Sequence, residues 1–163
     1  MVDKDGYELP RRQVGEVLIR GDNVMKEYYK APDITASTLV DGWFYTGDLG
    51  YQDEDGFFFI TGRLKELIIK GGENIAPAEI DVALYKHPSL LEAAAVGVPD
   101  DVYGQEIKAF VVLKPGMQAT EKEILDWCEK ELGKFKTPKW VVFKESLPQG
   151  PSGKIQRLKL TEE

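Results

Sequence analysis

The amino-acid sequence predicts an α+β fold, and three observations support this class. Short apolar and aromatic runs separated by glycine fill roughly the first 60 residues, which is typical of strands and turns. Strand patterns then alternate with two patterns of helical period over roughly the last 100 residues. Hydrophobic residues make up 42% of the 163 residues and charged residues 30%, so the chain has enough apolar surface to fold around a core.

The N-terminal part is predicted to be mostly β. Residues 15–21 are an apolar run between two glycines and predict a short strand. Residues 23–30 predict a short helix, with Asn23 as its N-cap and Pro32 as the residue that ends it.

Two further strands are predicted on either side of a turn. The aromatic, glycine-punctuated run at 42–51 is typical of strand and turn structure. Residues 53–56 are acidic and end in glycine, which predicts a turn, and residues 57–61 predict a buried strand that returns from it.

A hairpin and a helix are predicted after Arg63. Residues 64–70 are rich in leucine and isoleucine and predict a strand that ends at the Gly71-Gly72 turn. Pro77 suits the first turn of a helix that runs to about Lys86, where His87-Pro88 stops it.

The remaining elements are three strands and a second helix. Residues 93–98, 107–113 and 140–143 are short apolar runs and predict strands. Thr120 and Glu123 have the spacing of a capping box, and apolar residues continue at helical spacing until Gly133, which predicts a helix.

Charge argues against a general nucleic-acid binder, because 28 acidic residues exceed 21 basic ones and give a net charge of −7. The charge is uneven, since residues 130–160 contain eight basic and two acidic side chains. This segment predicts either a surface that faces an anionic ligand or an ordinary solvated lysine-rich surface. Charge alone favours the second.

Cysteine and histidine are too few for several classes of site. Cys128 is the single cysteine, which excludes an internal disulfide framework and a CxxC metal site. His87 is the single histidine and is predicted to be a helix-end residue, so we expect no metal site. The sequence has no signal-peptide pattern and no apolar run of the ~18 residues that a membrane span needs, which predicts a cytoplasmic protein without a transmembrane segment.

Three motifs occur in an order that points to a family. They are Tyr45-Thr46-Gly47-Asp48-Leu49, the segment 62–80 with its Gly71-Gly72 pair, and the segment 148–154 that ends in Gly153-Lys154. This set resembles the adenylate-forming (AMP-binding) superfamily, which includes acyl- and aryl-CoA synthetases, peptide-synthetase adenylation domains and beetle luciferase. The resemblance covers nearly the whole chain.

The resemblance implies a division into two parts. Residues 1–63 resemble the C-terminal end of the large N-terminal adenylation domain, as a mostly antiparallel β segment. Residues 64–163 resemble the small C-terminal lid domain, which has a three-stranded sheet with helices and a β-hairpin.

The resemblance also implies an activity. It is that of an acyl-CoA synthetase, an acid–thiol ligase that converts a carboxylic acid, ATP and CoA into acyl-CoA, AMP and pyrophosphate through an acyl-adenylate. Magnesium would accompany the ATP phosphates. The context of the second motif is most similar to fatty-acyl and aryl CoA ligases.

Nucleotide-binding and catalytic roles follow from the resemblance. Asp48 is expected to accept hydrogen bonds from the ribose hydroxyls, because a carboxylate makes strong charge-assisted bonds. Arg63 offers a planar fork of donors to ribose or phosphate oxygens. Lys154 is identified as the catalytic lysine, which would bridge the acyl oxygen and the α-phosphate as negative charge develops.

Two further roles concern the second half-reaction. Lys65 falls at the family's interdomain hinge, about which the lid rotates between the two half-reactions. Gly71, Gly72 and Glu73 are expected to line the CoA pantetheine tunnel, because glycine allows close backbone approach.

The family's phosphate-binding loop, adenine-binding segment and acyl pocket lie upstream of the Asp48 motif, and this chain lacks them. We therefore expect a fragment or truncated product that needs its missing N-terminal domain and is inactive alone. Two alternatives remain open. The parent could load a carrier protein, or the chain could be a stand-alone, non-catalytic module that binds CoA, a carrier protein or an N-terminal partner.

Overall fold

The computed structural model describes residues 1–161 of the chain. The chain forms two compact units, Met1–Lys65 and Glu66–Glu163. The division falls between Lys65 and Glu66, slightly beyond the boundary at residue 63 that the motifs suggest.

The first unit is built on a four-stranded antiparallel sheet. Its strands are β1 (Gly15–Ile19), β2 (Leu39–Val40), β3 (Trp43–Gln52) and β4 (Phe58–Arg63). The long strand β3 pairs antiparallel with each of the other three. The predicted mostly antiparallel β segment is confirmed.

The predicted helix at 23–30 is wrong, and a helix that was not predicted follows it. Helix α1 spans Pro32–Thr38 and begins at the proline that was expected to end a helix. Proline suits a helix start, because its φ is already helical and its missing N–H would be unsatisfied there anyway. Lys30 has a φ of 53°, which interrupts any helix that would run from Asn23 into α1.

Strand β4 forms where it was predicted, but its side chains are not buried. Phe58 and Ile60 are 63% and 61% exposed within the chain, and Phe57, just before the strand, is 67% exposed. Phe59 stacks on Tyr51 with ring centroids 5.1 Å apart. An apolar run therefore predicted a strand correctly, whereas burial requires a covering layer that local sequence does not specify.

The second unit contains a five-stranded sheet. Strands β5 (Ile68–Lys70) and β6 (Glu73–Ile75) form a hairpin, and β7 (Leu90–Asp100), β8 (Gly104–Leu113) and β9 (Trp140–Phe143) form the main sheet. Strand β8 pairs antiparallel with β7 and parallel with β9. The hairpin joins β8 through one residue pair, Lys70 and Gly104. The predicted three-stranded sheet and hairpin are thus both present, joined into one sheet.

Successive residues of a strand point to opposite sides of a sheet, and in this sheet both sides carry a hydrophobic core. On one face, Ala93, Ala95 and Val111 pack in the same core as Ile80 and Cys128, from helices α2 (Pro77–Tyr85) and α3 (Glu121–Leu132). On the other face lies a second core, in which Ala94, Val96, Phe110 and Val112 of β7 and β8 pack with Leu147 and Leu160 of the C-terminal segment. Leu160 ends a short helix, α4 (Arg157–Leu160), which the sequence did not predict.

The ends of α3 are set by local sequence, as predicted. The Thr120 hydroxyl accepts a hydrogen bond from the Glu123 N–H, and the Glu123 carboxylate accepts one from the Thr120 N–H at 2.7 Å. Gly133 caps the C-terminus with a φ of 75°. No helix within residues 1–161 is long and apolar enough to cross a membrane.

Candidate functional site

Asp48 and Arg63 lie side by side on adjacent strands of the first unit. They are register partners across β3 and β4, and Arg63 Nε lies 2.7 Å from Asp48 Oδ1. Arg63 is about half exposed and Asp48 about a third exposed, so water screens the pair and its contribution to stability is small. The arrangement presents a carboxylate and a guanidinium together at the surface of β3 and β4.

The backbone before Asp48 is held by side chains of β1 and β3. Gly47 has a φ of 70°, and its N–H donates to Glu16 Oε1 at 2.9 Å. The Thr46 hydroxyl donates to the Val17 carbonyl at 2.7 Å and accepts from the Asp48 N–H at 3.0 Å. The glycine and threonine of the motif therefore fix the backbone position of Asp48 within β3.

Lys65 is exposed and lies in a single turn of 3-10 helix, Leu64–Glu66. It is the last residue of the first unit. The predicted hinge residue therefore lies in a short 3-10 segment at the boundary of the two units, and short 3-10 segments often mark hinges.

Gly71, Gly72 and Glu73 form the exposed turn and first strand residue of the β5–β6 hairpin. The φ angles of Gly71 and Gly72 are 58° and 85°, in the left-handed region that favours glycine. The Gly71 N–H donates to the Tyr103 carbonyl at 2.8 Å, which ties this turn to the start of β8. Space around Gly72 is open, since a Cβ there would meet no heavy atom within 4 Å.

A buried ion pair beneath this turn was not foreseen. Lys70 Nζ lies 2.8 Å from Glu106 Oε2, and each side chain is 7% exposed. The Lys70 ammonium also lies 5.5 Å and 5.2 Å from the ring centroids of Tyr103 and Phe135. The sequence contained a signal for this buried lysine. Lys70 lies two residues after the core residue Ile68 in the same strand, so both side chains point to the same face of the sheet.

Lys154 lies at the end of a tight exposed loop. The Gly150 N–H donates to the Lys154 carbonyl at 2.8 Å, and the Gln156 N–H donates to the Pro148 carbonyl at 2.8 Å. The Lys154 side chain is exposed and has no ion-pair partner among the residues that the structure describes. The loop therefore presents an uncommitted ammonium group to solvent.

A second buried pair, which the sequence analysis also missed, joins α2 to the segment after Lys154. Arg157 donates through two nitrogens to the two oxygens of Asp81, and Arg157 Nε lies 3.2 Å from Glu66 Oε2. Burial raises the pKa of Asp81 above its ordinary value, and the bonds from Arg157 oppose this shift. Asp81 follows Ile80 on the apolar side of a helix, and a charged residue at such a position indicates a buried partner.

Cys128 and His87 offer no reactive group. Cys128 is fully buried, and burial raises the pKa of its thiol to about 11. His87 lies just beyond the C-terminus of α2, as predicted, and burial lowers the pKa of its imidazole. Among residues 1–161, no group of three or more His, Cys, Asp or Glu side chains could hold a metal ion.

The chain is similar in sequence and in fold to known proteins. Residues 79–154 match the AMP-binding enzyme C-terminal domain family. The chain is 58% identical over 161 residues to a sulfoacetate–CoA ligase of Cupriavidus necator. The ATP-bound structure of MatB from Rhodopseudomonas palustris superposes with a TM-score of 0.91 at 40% identity over 98% of the chain.

The chain belongs to the adenylate-forming superfamily. A 2-succinylbenzoate–CoA ligase of Bacillus cytotoxicus is 47% identical to it over 159 residues, which is 98% of this chain. An o-succinylbenzoate CoA synthetase of Bacillus subtilis, solved with its acyl-adenylate intermediate, superposes with a TM-score of 0.90 at 36% identity over 99% of the chain.

The chain spans about a third of the length of the relatives it matches: 32% and 33% of the two ligases, and 32% and 33% of the two solved chains. It corresponds to the C-terminal lid domain of the adenylate-forming enzymes together with a preceding β segment.

Proposed function

We propose that this chain is the C-terminal part of an AMP-forming acyl-CoA synthetase, in which residues 1–63 complete the adenylation domain and residues 64–163 form the lid. The observation that carries the proposal is the paired placement of Asp48 and Arg63, 2.7 Å apart, in a chain that is 58% identical to a sulfoacetate–CoA ligase along nearly its whole length. A carboxylate oriented by a guanidinium is suited to accept hydrogen bonds from two ribose hydroxyls.

In the first half-reaction, a substrate carboxylate oxygen attacks the α-phosphorus of ATP, and the bond to pyrophosphate breaks. Negative charge builds up on the oxygens around the phosphorus at this step. Lys154 would stabilise that charge, because its ammonium group is exposed at the end of a glycine loop and is not neutralised by a carboxylate among residues 1–161. Arg63 would contact ribose or phosphate oxygens beside Asp48.

In the second half-reaction, the CoA sulfur attacks the acyl carbon, and AMP leaves. Gly71, Gly72 and Glu73 would line the path of the pantetheine arm, since the open space at Gly72 permits close approach. Lys65 would be the hinge between the two steps.

The two candidate elements of the second unit contact different ends of the β7–β8 ladder, which supports a role for this unit in both steps. The Gly71 turn is bonded to Tyr103 at the hairpin end. The Lys154 loop is bonded through Gln149 to Glu92, near the other end. Glu92 and Asp100 are about 26 Å apart along the strand at about 3.3 Å per residue. Rotation about Lys65 would bring one end and then the other to the substrate.

Substrate and acceptor remain part of the proposal. ATP with Mg²⁺ and CoA are the expected co-substrates, and fatty or aryl acids the expected acid class. A carrier protein is the second candidate acceptor, because a fatty acid–[acyl-carrier-protein] ligase of Streptomyces coeruleorubidus is 46% identical over 98% of the chain. We place the protein in the cytoplasm, where ATP and CoA are available.

The proposal is tested with the full-length protein that contains this chain. It should bind AMP in calorimetry, and Asp48→Asn should weaken that binding. It should then exchange pyrophosphate with one of a panel of sulfoacetate, 2-succinylbenzoate and fatty acids, and transfer the acyl group to CoA or to a carrier protein. The 163-residue chain alone should form no acyl-CoA. A full-length protein that binds neither AMP nor ATP would overturn the proposal, as would acyl-CoA formation by the isolated chain for its fragment part.

A further inference from the structure

Strand β7 is an edge strand at Ala95, and an ion pair completes its hydrogen bonds there. The Ala95 N–H donates to Asp81 Oδ1 at 2.8 Å, and the Ala95 carbonyl accepts from Arg157 at 3.0 Å. An open strand edge leaves such groups unpaired unless something covers them. The Asp81–Arg157 pair therefore replaces a neighbouring strand at this position.

The same pair links elements from the two faces of the sheet. Asp81 lies on α2, whose residues Ile80 and Leu84 belong to the core on one face. Arg157 begins α4, whose residue Leu160 belongs to the core on the other face. The guanidinium thus ties the C-terminal segment around the open edge of β7.

Arg157, which makes these contacts, lies three residues after Lys154. On the other side of the loop, the Gln149 side chain donates to Glu92 at 2.9 Å, and Leu147 is buried in the core. Lys154 therefore lies at the end of an exposed loop whose two flanking segments are both held to the sheet. Arg157 is the charged anchor on the side nearer to it.

Arg157 also reaches the residue that follows the proposed hinge. Its Nε lies 3.2 Å from Glu66 Oε2, and Glu66 is the first residue of the second unit. One guanidinium with three nitrogens engaged therefore connects the Lys154 segment, helix α2, strand β7 and the start of the unit. Lysine could not reproduce this fork, since it carries a single nitrogen.

We propose that Asp81 and Arg157 are positioning residues that anchor the Lys154 loop to the edge of β7 and to Glu66, so that Lys154 is presented in a fixed place relative to the hinge. This inference rests on the proposed function for its catalytic consequence. Its structural part, that the pair fastens the loop, stands apart from any activity.

The structural part is tested by proteolysis of the full-length protein with an endoproteinase that cleaves after lysine. Arg157→Gln should raise the rate of cleavage after Lys154 by about tenfold, because local opening controls cleavage of a folded segment. Cleavage after Lys122, on exposed α3, is the internal reference and should not change. Lys159→Gln is the matched control, since it removes one positive charge from the same short helix.

The catalytic part is tested by comparing the two half-reactions. Arg157→Gln should slow acid-dependent pyrophosphate exchange by up to about 100-fold, since small misplacements of a catalytic group have effects of this size. Thioester formation from supplied acyl-adenylate should stay within about threefold. Arg157→Lys should rescue exchange only in part, and Lys159→Gln should resemble wild type.

Each contrary outcome has a distinct meaning. Equal acceleration of cleavage after Lys154 and Lys122, or equal loss in both half-reactions, would show that the pair only stabilises the unit and would overturn the inference. Wild-type exchange in Arg157→Gln would overturn the positioning role. If the wild-type protein forms no adenylate but the loop is released selectively, the anchor stands and the proposed function falls.

Discussion

Lys70 and Glu106 form an ion pair at 2.8 Å that is almost completely buried, with each side chain 7% exposed. The Glu106 carboxylate also accepts the Ile107 N–H at 3.1 Å. Two aromatic rings, Tyr103 and Phe135, border the Lys70 ammonium within 5.5 Å and 5.2 Å. Because Lys70 directly precedes Gly71, this pair forms the base on which the candidate pantetheine turn rests.

Removing one member of this pair should destabilise the second unit strongly. Glu106→Leu leaves the lysine charge buried and unpaired, and we expect a loss of about 3–5 kcal/mol in the free energy of unfolding. The double variant Lys70→Met with Glu106→Leu should lose clearly less, because no charge is left buried. Urea denaturation measures both. Glu131→Leu is the control, since its ion pair with Lys86 is exposed and should be worth less than about 1 kcal/mol. A loss in Glu106→Leu no larger than that of the control would contradict the expectation.

Lys154→Ala in the full-length protein should slow adenylation by about 100- to 1000-fold, which corresponds to about 2.7–4 kcal/mol of transition-state stabilisation. Thioester formation from supplied adenylate should change far less, because in the proposed mechanism the lid would by then have rotated Lys154 away. Pyrophosphate exchange and thioester formation are measured separately, with Lys159→Ala as the control for loss of an exposed lysine. Exchange at the wild-type rate would show that Lys154 is an ordinary surface lysine.

Lys65→Pro should separate the two half-reactions in the opposite direction. Proline fixes φ and removes the backbone N–H at the proposed hinge, so rotation of the lid should be hindered. Adenylation should survive better than thioester formation in the full-length protein. Lys65→Ala, which keeps backbone freedom, should retain both steps. The hinge assignment fails if Lys65→Pro reduces both half-reactions equally.

Asp100 should make stability depend on pH in the acid range. The bond from Lys139 at 2.7 Å, with those from the N–H groups of Tyr103 and Val102, lowers the pKa of Asp100 from 3.8 to about 2. A carboxyl group whose folded pKa is lowered stabilises the fold above its unfolded pKa, and this contribution disappears as pH falls through the folded pKa. The melting-temperature difference between wild type and Asp100→Asn should therefore shrink between about pH 4 and pH 2.

Lys139→Gln should move the pKa of Asp100, followed by NMR, back towards 3.8. An unshifted pKa in wild type would refute the assignment.

Most strands and two helices could be predicted because their signals are local. The Thr120–Glu123 capping box and Gly133 set the ends of α3, and the apolar run at 140–143 forms β9 at those bounds. Pro32 misled because proline can either follow the end of a helix or begin one, and the positive φ of Lys30 excludes the first case here. The exposed phenylalanines of β4 show the limit of composition, since an apolar strand does not reveal what covers it.

The residues of the candidate site also divide into those that the sequence could predict and those that it could not. Asp48, Arg63, Lys65, Gly71, Gly72, Glu73 and Lys154 could be named from sequence, because each lies in a contiguous motif whose residue types and order are specific. Their partners could not. Asp81 and Arg157 are 76 residues apart, and Lys70 meets Glu106 only because β5 and β8 are paired. Sequence by itself determined which residues are candidates for the chemistry, since motifs are local. Tertiary structure alone decided which buried charges hold those motifs in place, because a buried charge is tolerated only where folding brings a distant partner to it.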